Sequence, residues 1–266
     1  MRKADRSDID AFREAALKNR NSTNAFEMRN AKCEMRNLYI TESQAVTFLL
    51  FDADGFFRLY YTITDTDSAL PQEIRENAMP IIAETPYRGD DPPPSVDWLI
   101  RHGFEPALTR FRMSLNTKEN SSFIIHHFSF FICDSSFLIP HSSFVLSLFS
   151  SSFDRQTGCL PTLAELELAA AEGRVIAVED GGNLCGALLY ENAGKVSSIR
   201  NVAVAHDLRG RGFGSSMIGE WISRSAAAGI SVLRLWVAQG NAAAISLYQK
   251  HGFAPDGLKS AVSIKK

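Results

Sequence analysis

Long unbroken apolar runs, paired cysteines and an excess of one charge are all missing from this 266-residue chain. Cys33, Cys133, Cys159 and Cys185 are scattered without a C-x-x-C spacing, which excludes a disulfide framework or a clustered zinc site as the organising feature. A formal charge of -2 supplies no basic field, so nucleic acid is not expected as a partner. Between Phe123 and Phe149 there is no lysine or arginine, and Asp134 is the one acid. His126, His127, Pro140, His141 and many serines nevertheless interrupt that window before a ~20-residue apolar run is complete. It reads as a buried strand, Phe123 to Cys133, and a helix, Ser142 to Ser152, and no membrane span is expected. Adjacent His126 and His127 would point to opposite faces of that strand, so no metal is expected there either. The opening residues, Met1-Arg2-Lys3-Ala4-Asp5-Arg6, hold no apolar signal core, and a cytoplasmic setting is the expectation. Glycine is scarce early on: Gly55, Gly89 and Gly103 are all that precede residue 117.

What is present suits a packed core, with 45% hydrophobic and 22% charged residues and a length that allows two domains. Ile9, Phe12, Ala16 and Leu17 share one side of a helix from Ser7 to Asn19, with Ser7 as its cap. Ala45 to Phe51 and Phe56 to Thr64 form a hairpin around Asp52-Ala53-Asp54-Gly55. A strand at Pro80 to Glu84, a helix at Ser95 to Arg101 and a strand at Leu108 to Leu115 follow, and polar residues near Asn116 mark a boundary. Later, Thr162 caps a helix, Leu163 to Ala171, with Glu165 completing a capping box. Arg174 to Glu179, Leu184 to Glu191 and Lys195 to Val204 make an antiparallel meander. Met217, Ile218, Trp221, Ile222 and Ser225 recur at helical spacing until Gly229, and Val232 to Val237 is a buried strand. His102-Gly103-Phe104-x-Pro106 recurs as His251-Gly252-Phe253-x-Pro255, so residues 1–116 and 117–266 read as two copies of one architecture. In that register Leu99 stands for Tyr248 and Pro92 for Asn241. The first copy has no glycine-rich loop.

The second copy has one, Arg209-Gly210-Arg211-Gly212-Phe213-Gly214-Ser215, between the meander's last strand and a helix. Alternate glycines turn the backbone tightly and leave N–H groups uncovered, and the helix adds the positive end of its dipole. Two guanidinium groups beside this cradle favour phosphate. The G-x-G-x-G spacing is not a dinucleotide fingerprint, and no Lys-Ser or Lys-Thr pair follows to make a P-loop.

Arg209-x-x-Gly212-x-Gly214 after an apolar strand, then Asn241, Tyr248 and Gly252-Phe253, resembles the Gcn5-related N-acetyltransferases. The resemblance implies a mixed α/β (α+β) fold, a mostly antiparallel twisted sheet flanked by helices, here preceded by a smaller α+β domain that is a degenerate copy. It implies acetyl-coenzyme A as donor, its pyrophosphate on the loop (Arg209, Gly210, Arg211, Gly212, Phe213, Gly214, Ser215) and its pantetheine arm along the backbone of Val202, Ala203 and Val204. Asn241 would bond that arm, and Tyr248 would protonate the departing sulfur. Many relatives place a glutamate on the strand before the loop, where this chain has Arg200 and Asn201. Glu191 is the nearest carboxylate and the provisional base, with His206, Asp207 and a water chain left open. The partner would be an amine acceptor, a small molecule or a protein amine, and self-association is left open. A coenzyme-binding sensor without turnover and a transferase of longer acyl groups are the alternatives.

Overall fold

The computed structural model describes residues 1–18, 38–43, 45–53, 55–118, 131–132 and 138–266. They fall into two compact units, Met1–Arg110 with Gly257–Lys266, and Phe111–Asp256.

The first unit contains β1 (Arg2–Lys3), α1 (Arg6–Lys18), β2 (Leu38–Glu42), β3 (Val46–Asp52), β4 (Phe57–Ile63), α2 (Gln72–Arg75), β5 (Ile81–Arg88), α3 (Pro94–Arg101) and the start of β6 (Glu105–Asn116). Helix α1 buries Ile9, Phe12 and Ala16 with Leu38, Ile40 and Leu49, while Leu17 stays exposed. Its start differs from the expectation at Ser7. Asp5 accepts the Asp8 N–H at 3.0 Å and Asp8 accepts the Asp5 N–H at 2.8 Å, a reciprocal cap that places Ser7 inside the helix. Ser7 instead donates its hydroxyl to Asp5. The hairpin pairs β3 with β4 from Val46↔Ile63 to Asp52↔Phe57, and Gly55 turns it at a φ of +95°.

Strand β5 is longer than the expected Pro80 to Glu84, because a distant partner extends it. Residues Leu258 to Lys265, in the last strand of the chain, pair antiparallel with β5 from Ile81 to Arg88. The sheet of this unit therefore runs β1-β2-β3-β4-β5 and closes on the chain's C-terminal residues. Pro94 opens α3 at a position where a missing N–H costs nothing. His102 ends it, Gly103 turns left-handed at +87°, and the Phe104 N–H returns to the Leu99 carbonyl at 3.1 Å.

The second unit takes the rest of β6, then β7 (Phe131–Ile132), α4 (Ser142–Ser152), α5 (Leu163–Ala171), β8 (Val175–Asp180), β9 (Asn183–Ala193), β10 (Val196–Val204), α6 (Phe213–Ala227), β11 (Val232–Ala238), α7 (Ala242–Lys250) and the first residues of β12 (Ala254–Lys265). The helix from Ser142 to Ser152 stands where expected. Of the strand expected from Phe123 to Cys133, the structure describes Phe131–Ile132, paired with β8; His126, His127 and the remainder lie outside the described residues. Thr162 caps α5 in a full capping box with Glu165. The sheet order is β6-β11-β10-β9-β8-β7, antiparallel from β10 to β7 and parallel between β10 and β11. One of its faces packs under α6 and α7 through Trp221, Met217 and Phe213, and the other under α4 and α5 through Phe149, Val145 and Leu166. Among the described residues no helix is long and apolar enough to cross a membrane.

Candidate active site

The parallel ladder between β10 and β11 pairs Val196, Ser197 and Ser198 with Val232, Leu233 and Arg234 and then stops. Both strands continue, β10 to Val204 and β11 to Ala238, so from Ile199 onward they diverge. The divergence starts at a bulge in the β9 ladder between Ile199 and Asn201. A bulge bends and twists its strand and re-aims the side chains. Before it, Ile199 belongs to the core under α6; after it, Ala203 belongs to the core under α4 and α5. Val202, Ala203 and Val204 remain paired on the β9 side, with Leu188, Ala187 and Gly186. Their other edge has no strand pairing among the described residues. An extended chain bearing amides could use those N–H and C=O groups.

Strand β10 leads through a short 3₁₀ turn, His206–Leu208, into the glycine loop. Gly210 and Gly212 take positive φ values of +80° and +95°, and Gly212 is the left-handed N-cap of α6. No side chain caps that helix. The first intrahelical bond runs from the Ser216 N–H to the Gly212 carbonyl, so the preceding turn presents its N–H groups beyond the helix end. Gly214 serves a different need. A Cβ there would stand 3.3 Å from a methyl of Leu247, so its absence lets the first turn of α6 lie close to α7. Arg209 donates its Nε to the Val204 carbonyl at 3.2 Å, tying the loop to its strand, and Arg211 is exposed. Ser215, in the same first turn, has its Oγ 2.8 Å from Nε2 of His251.

Asn241 is the N-cap of α7, its Oδ1 accepting the Ala244 N–H at 3.1 Å. Tyr248, seven residues on, is 5% exposed within the α6 and α7 core, edge-on to Phe253 at 6.2 Å. Burial pushes its phenol up to about 12, so it holds its proton at neutral pH.

Glu191 lies opposite Ser198, where the parallel ladder ends, and is half exposed. Arg200 reaches it at 3.3 Å, Glu165 at 3.3 Å, and the Cys159 carbonyl through Nε at 3.2 Å. Neighbouring Asn201 is 2% exposed and donates Nδ2 to the Gly158 carbonyl at 3.0 Å. Its Oδ1 is buried without a hydrogen-bond partner among the described residues. Arg200 and Asn201 thus moor the α4–α5 connection to the diverging strand, a role that sequence reasoning missed. The bulge gives no local signature, and the bonds reach back more than forty positions.

The first unit also contains a parallel pair that ends early. Strands β4 and β5 pair in parallel through Phe57 to Leu59 with Ile81 to Ala83 and then part, although β4 continues to Ile63 and β5 to Arg88. Buried side chains fill that divergence: the Tyr61 hydroxyl donates to Ser95 Oγ at 3.1 Å and shares a 2.7 Å hydrogen bond with Thr85 Oγ1. Where β10 leads into glycines and α6, β4 leads into residues 64–71, which carry Asp65 and Asp67 and no glycine, and then into the four residues of α2.

Residues 143–253 match the acetyltransferase (GNAT) family. No curated protein matches the chain. Among solved structures, a GCN5-related N-acetyltransferase from Sphaerobacter thermophilus is 12% identical with a TM-score of 0.66, covering 99% of this chain and 94% of that one. A tandem GNAT protein from the clavulanic acid biosynthesis pathway, solved without acetyl-coenzyme A, is 13% identical with a TM-score of 0.59 over 99% of this chain and 96% of its own. A GCN5-related N-acetyltransferase from Kribbella flavida is 12% identical with a TM-score of 0.59, covering 91% and 96%. These likenesses show the fold, a mixed α+β architecture with a mostly antiparallel sheet flanked by helices.

Proposed function

From the match of residues 143–253 to the acetyltransferase (GNAT) family, we propose an acetyl-coenzyme A-dependent N-acetyltransferase that moves the acetyl group directly to a primary amine. The observation that carries this reading is the divergence of β10 from β11, which runs into an uncapped, glycine-lined helix end. The residues fit the donor: a backbone edge at Val202 to Val204 suits the amides of a pantetheine arm, and the Arg209 to Ser215 cradle suits a pyrophosphate. Acetyl-coenzyme A supplies the activated acyl carbon as a thioester.

The chain's own groups divide the remaining work. Tyr248, protonated at neutral pH, is the general acid for the leaving sulfur. Asn201 cannot take a proton, so the amine's proton goes to Glu191, whose carboxylate Arg200 holds at the foot of the divergence, or to water. The same reading takes residues 1–116 and 117–266 as copies, the first no longer able to hold the coenzyme, and places the protein in the cytoplasm.

Mass spectrometry of the protein incubated with acetyl-coenzyme A and a panel of primary amines, beside Tyr248→Phe, tests it. An acetylated amine whose yield falls sharply in the variant is expected. Coenzyme binding without any product would favour a sensor instead, a reading that the missing strand carboxylate supports. No coenzyme binding would remove the proposal altogether.

A further inference from the structure

The two faces of the sheet around the parted strands are used differently. Ile199 of β10 and Leu233, Leu235 and Val237 of β11 lie in the core under α6 and α7, with Tyr248. That face is filled, so an amine reaches the foot of the divergence from the other. Strand alternation puts Arg234 and Trp236 of β11 on the other face, and the register puts Ser198 and Glu191 there too, in one row with Arg234 across three strands. Helices α4 and α5 cover part of that face, packing on β8, β9 and β10 through Ala177, Leu189 and Ala203. Trp236 stands one strand beyond, two residues past the last rung of the parallel ladder, and is half-buried. Its indole is held from β6: the Arg112 guanidinium lies 6.0 Å from the ring centroid, and its Nε donates to Asp256 at 2.6 Å.

We propose that Trp236 sets the acceptor specificity of this site, selecting a primary amine carried on a flat aromatic body. The proposal rests on the acetyltransferase reading and names the substrate class for it. Glu191, half exposed, offers a carboxylate to the amine nitrogen at the level where β10 and β11 part. Trp236, at roughly 12 Å from it between Cα atoms by strand spacing and rise, offers a ring to the body that bears that nitrogen. The cation beside the indole is already paired with Asp256, so it steadies the ring and does not call for a carboxylate on the acceptor. A rigid indole gains more from a flat ring than from an alkyl chain of similar size, because offset or edge contacts between aromatic rings add to the area they bury. The amine is read by charge and its body by shape, through different side chains on one face of the sheet.

Steady-state acetylation of 2-phenylethylamine and of n-hexylamine by the wild type, Trp236→Leu and Trp236→Phe, beside calorimetric titration of coenzyme A into each, tests this. The ratio of kcat/KM for the aromatic amine over the alkyl amine should fall roughly 2- to 10-fold from wild type to Trp236→Leu, the worth of a ring contact beyond its area. Comparing that ratio between variants cancels the different basicity of the two amines. The fall should lie in the KM for 2-phenylethylamine, with coenzyme A bound as in the wild type. Trp236→Phe should recover most of the ratio; a merely structural defect would not be rescued. A ratio unmoved in Trp236→Leu, an equal fall in Trp236→Phe, or weaker coenzyme binding in both variants would each overturn the proposal. So would a wild type that acetylates amino acids or peptide amines and neither probe, which leaves the acetyltransferase reading in place. A wild type that acetylates no amine, or binds no coenzyme A, would instead overturn the reading on which the proposal stands.

Discussion

Each unit parts a pair of parallel strands, and the use of the gap separates them. In the first, Tyr61, Thr85 and Ser95 hydrogen-bond across the opening and are almost wholly buried. In the second, the corresponding edge of β10 has no strand partner among the described residues and leads to glycines. The ladders on the outer side differ too: β3 and β4 pair without irregularity, while β9 and β10 carry the bulge at Ile199/Asn201. A parting of parallel strands can be packed shut or left with an unpaired backbone edge, depending on whether polar side chains satisfy one another across the gap.

The largest expected effect separates the units by their tyrosines. Tyr248→Phe should lower amine acetylation by ~10²- to 10⁴-fold, the usual worth of a general acid, with coenzyme affinity kept; Tyr61→Phe should leave turnover unchanged. Equal losses in both variants would erase the distinction.

Alkaline titration should show what the tyrosines share. Burial raises Tyr61 and Tyr248 to about 12 from 10. The native state then keeps protons that the unfolded chain has lost, so stability is fully present below pH 10 and declines as pH rises through 12. Linkage puts the loss at about 3 kcal/mol for each tyrosine, and denaturant unfolding from pH 9 to 12 measures it.

Third comes the cradle, which belongs to one unit alone. Gly212→Val forces a β-branched residue to a φ of +95°, and coenzyme A should bind roughly 10- to 100-fold more weakly. The wild type should bind one coenzyme per chain in calorimetry, and a second site would refute the closure of the first unit. The smallest effect is in the scaffold: Tyr61→Phe leaves the Thr85 and Ser95 hydroxyls one partner short, costing about 1–2 kcal/mol in denaturant unfolding.

The capping box at Thr162 and Glu165, the turns at Gly55 and Gly229 and the glycine loop were legible because each is a local bargain between neighbouring residues. The repeated His-Gly-Phe motif was legible as a repeat for the same reason. The start of α1 was misread because Asp5 and Ser7 are both good caps, and Asp8, by answering Asp5, decides between them. That the end of the chain returns to the first unit was not legible. The residues after Arg110 pass into the second unit and those after Asp256 return to the first. Alternating strand patterns do not name their partners, and which sheet each strand joins depends on ladders formed with residues far away.

The sequence by itself determined the periods of the helices and strands, the turns that need glycine and the glycine-rich loop that opens α6, because these follow from backbone sterics and nearest neighbours. Tertiary structure alone decided that β10 leaves β11 after Ser198, that Arg200 and Asn201 moor the α4–α5 connection, and that His251 meets Ser215 at the loop. Each of those is a choice of partner across a large sequence separation, settled by packing once the sheets have formed.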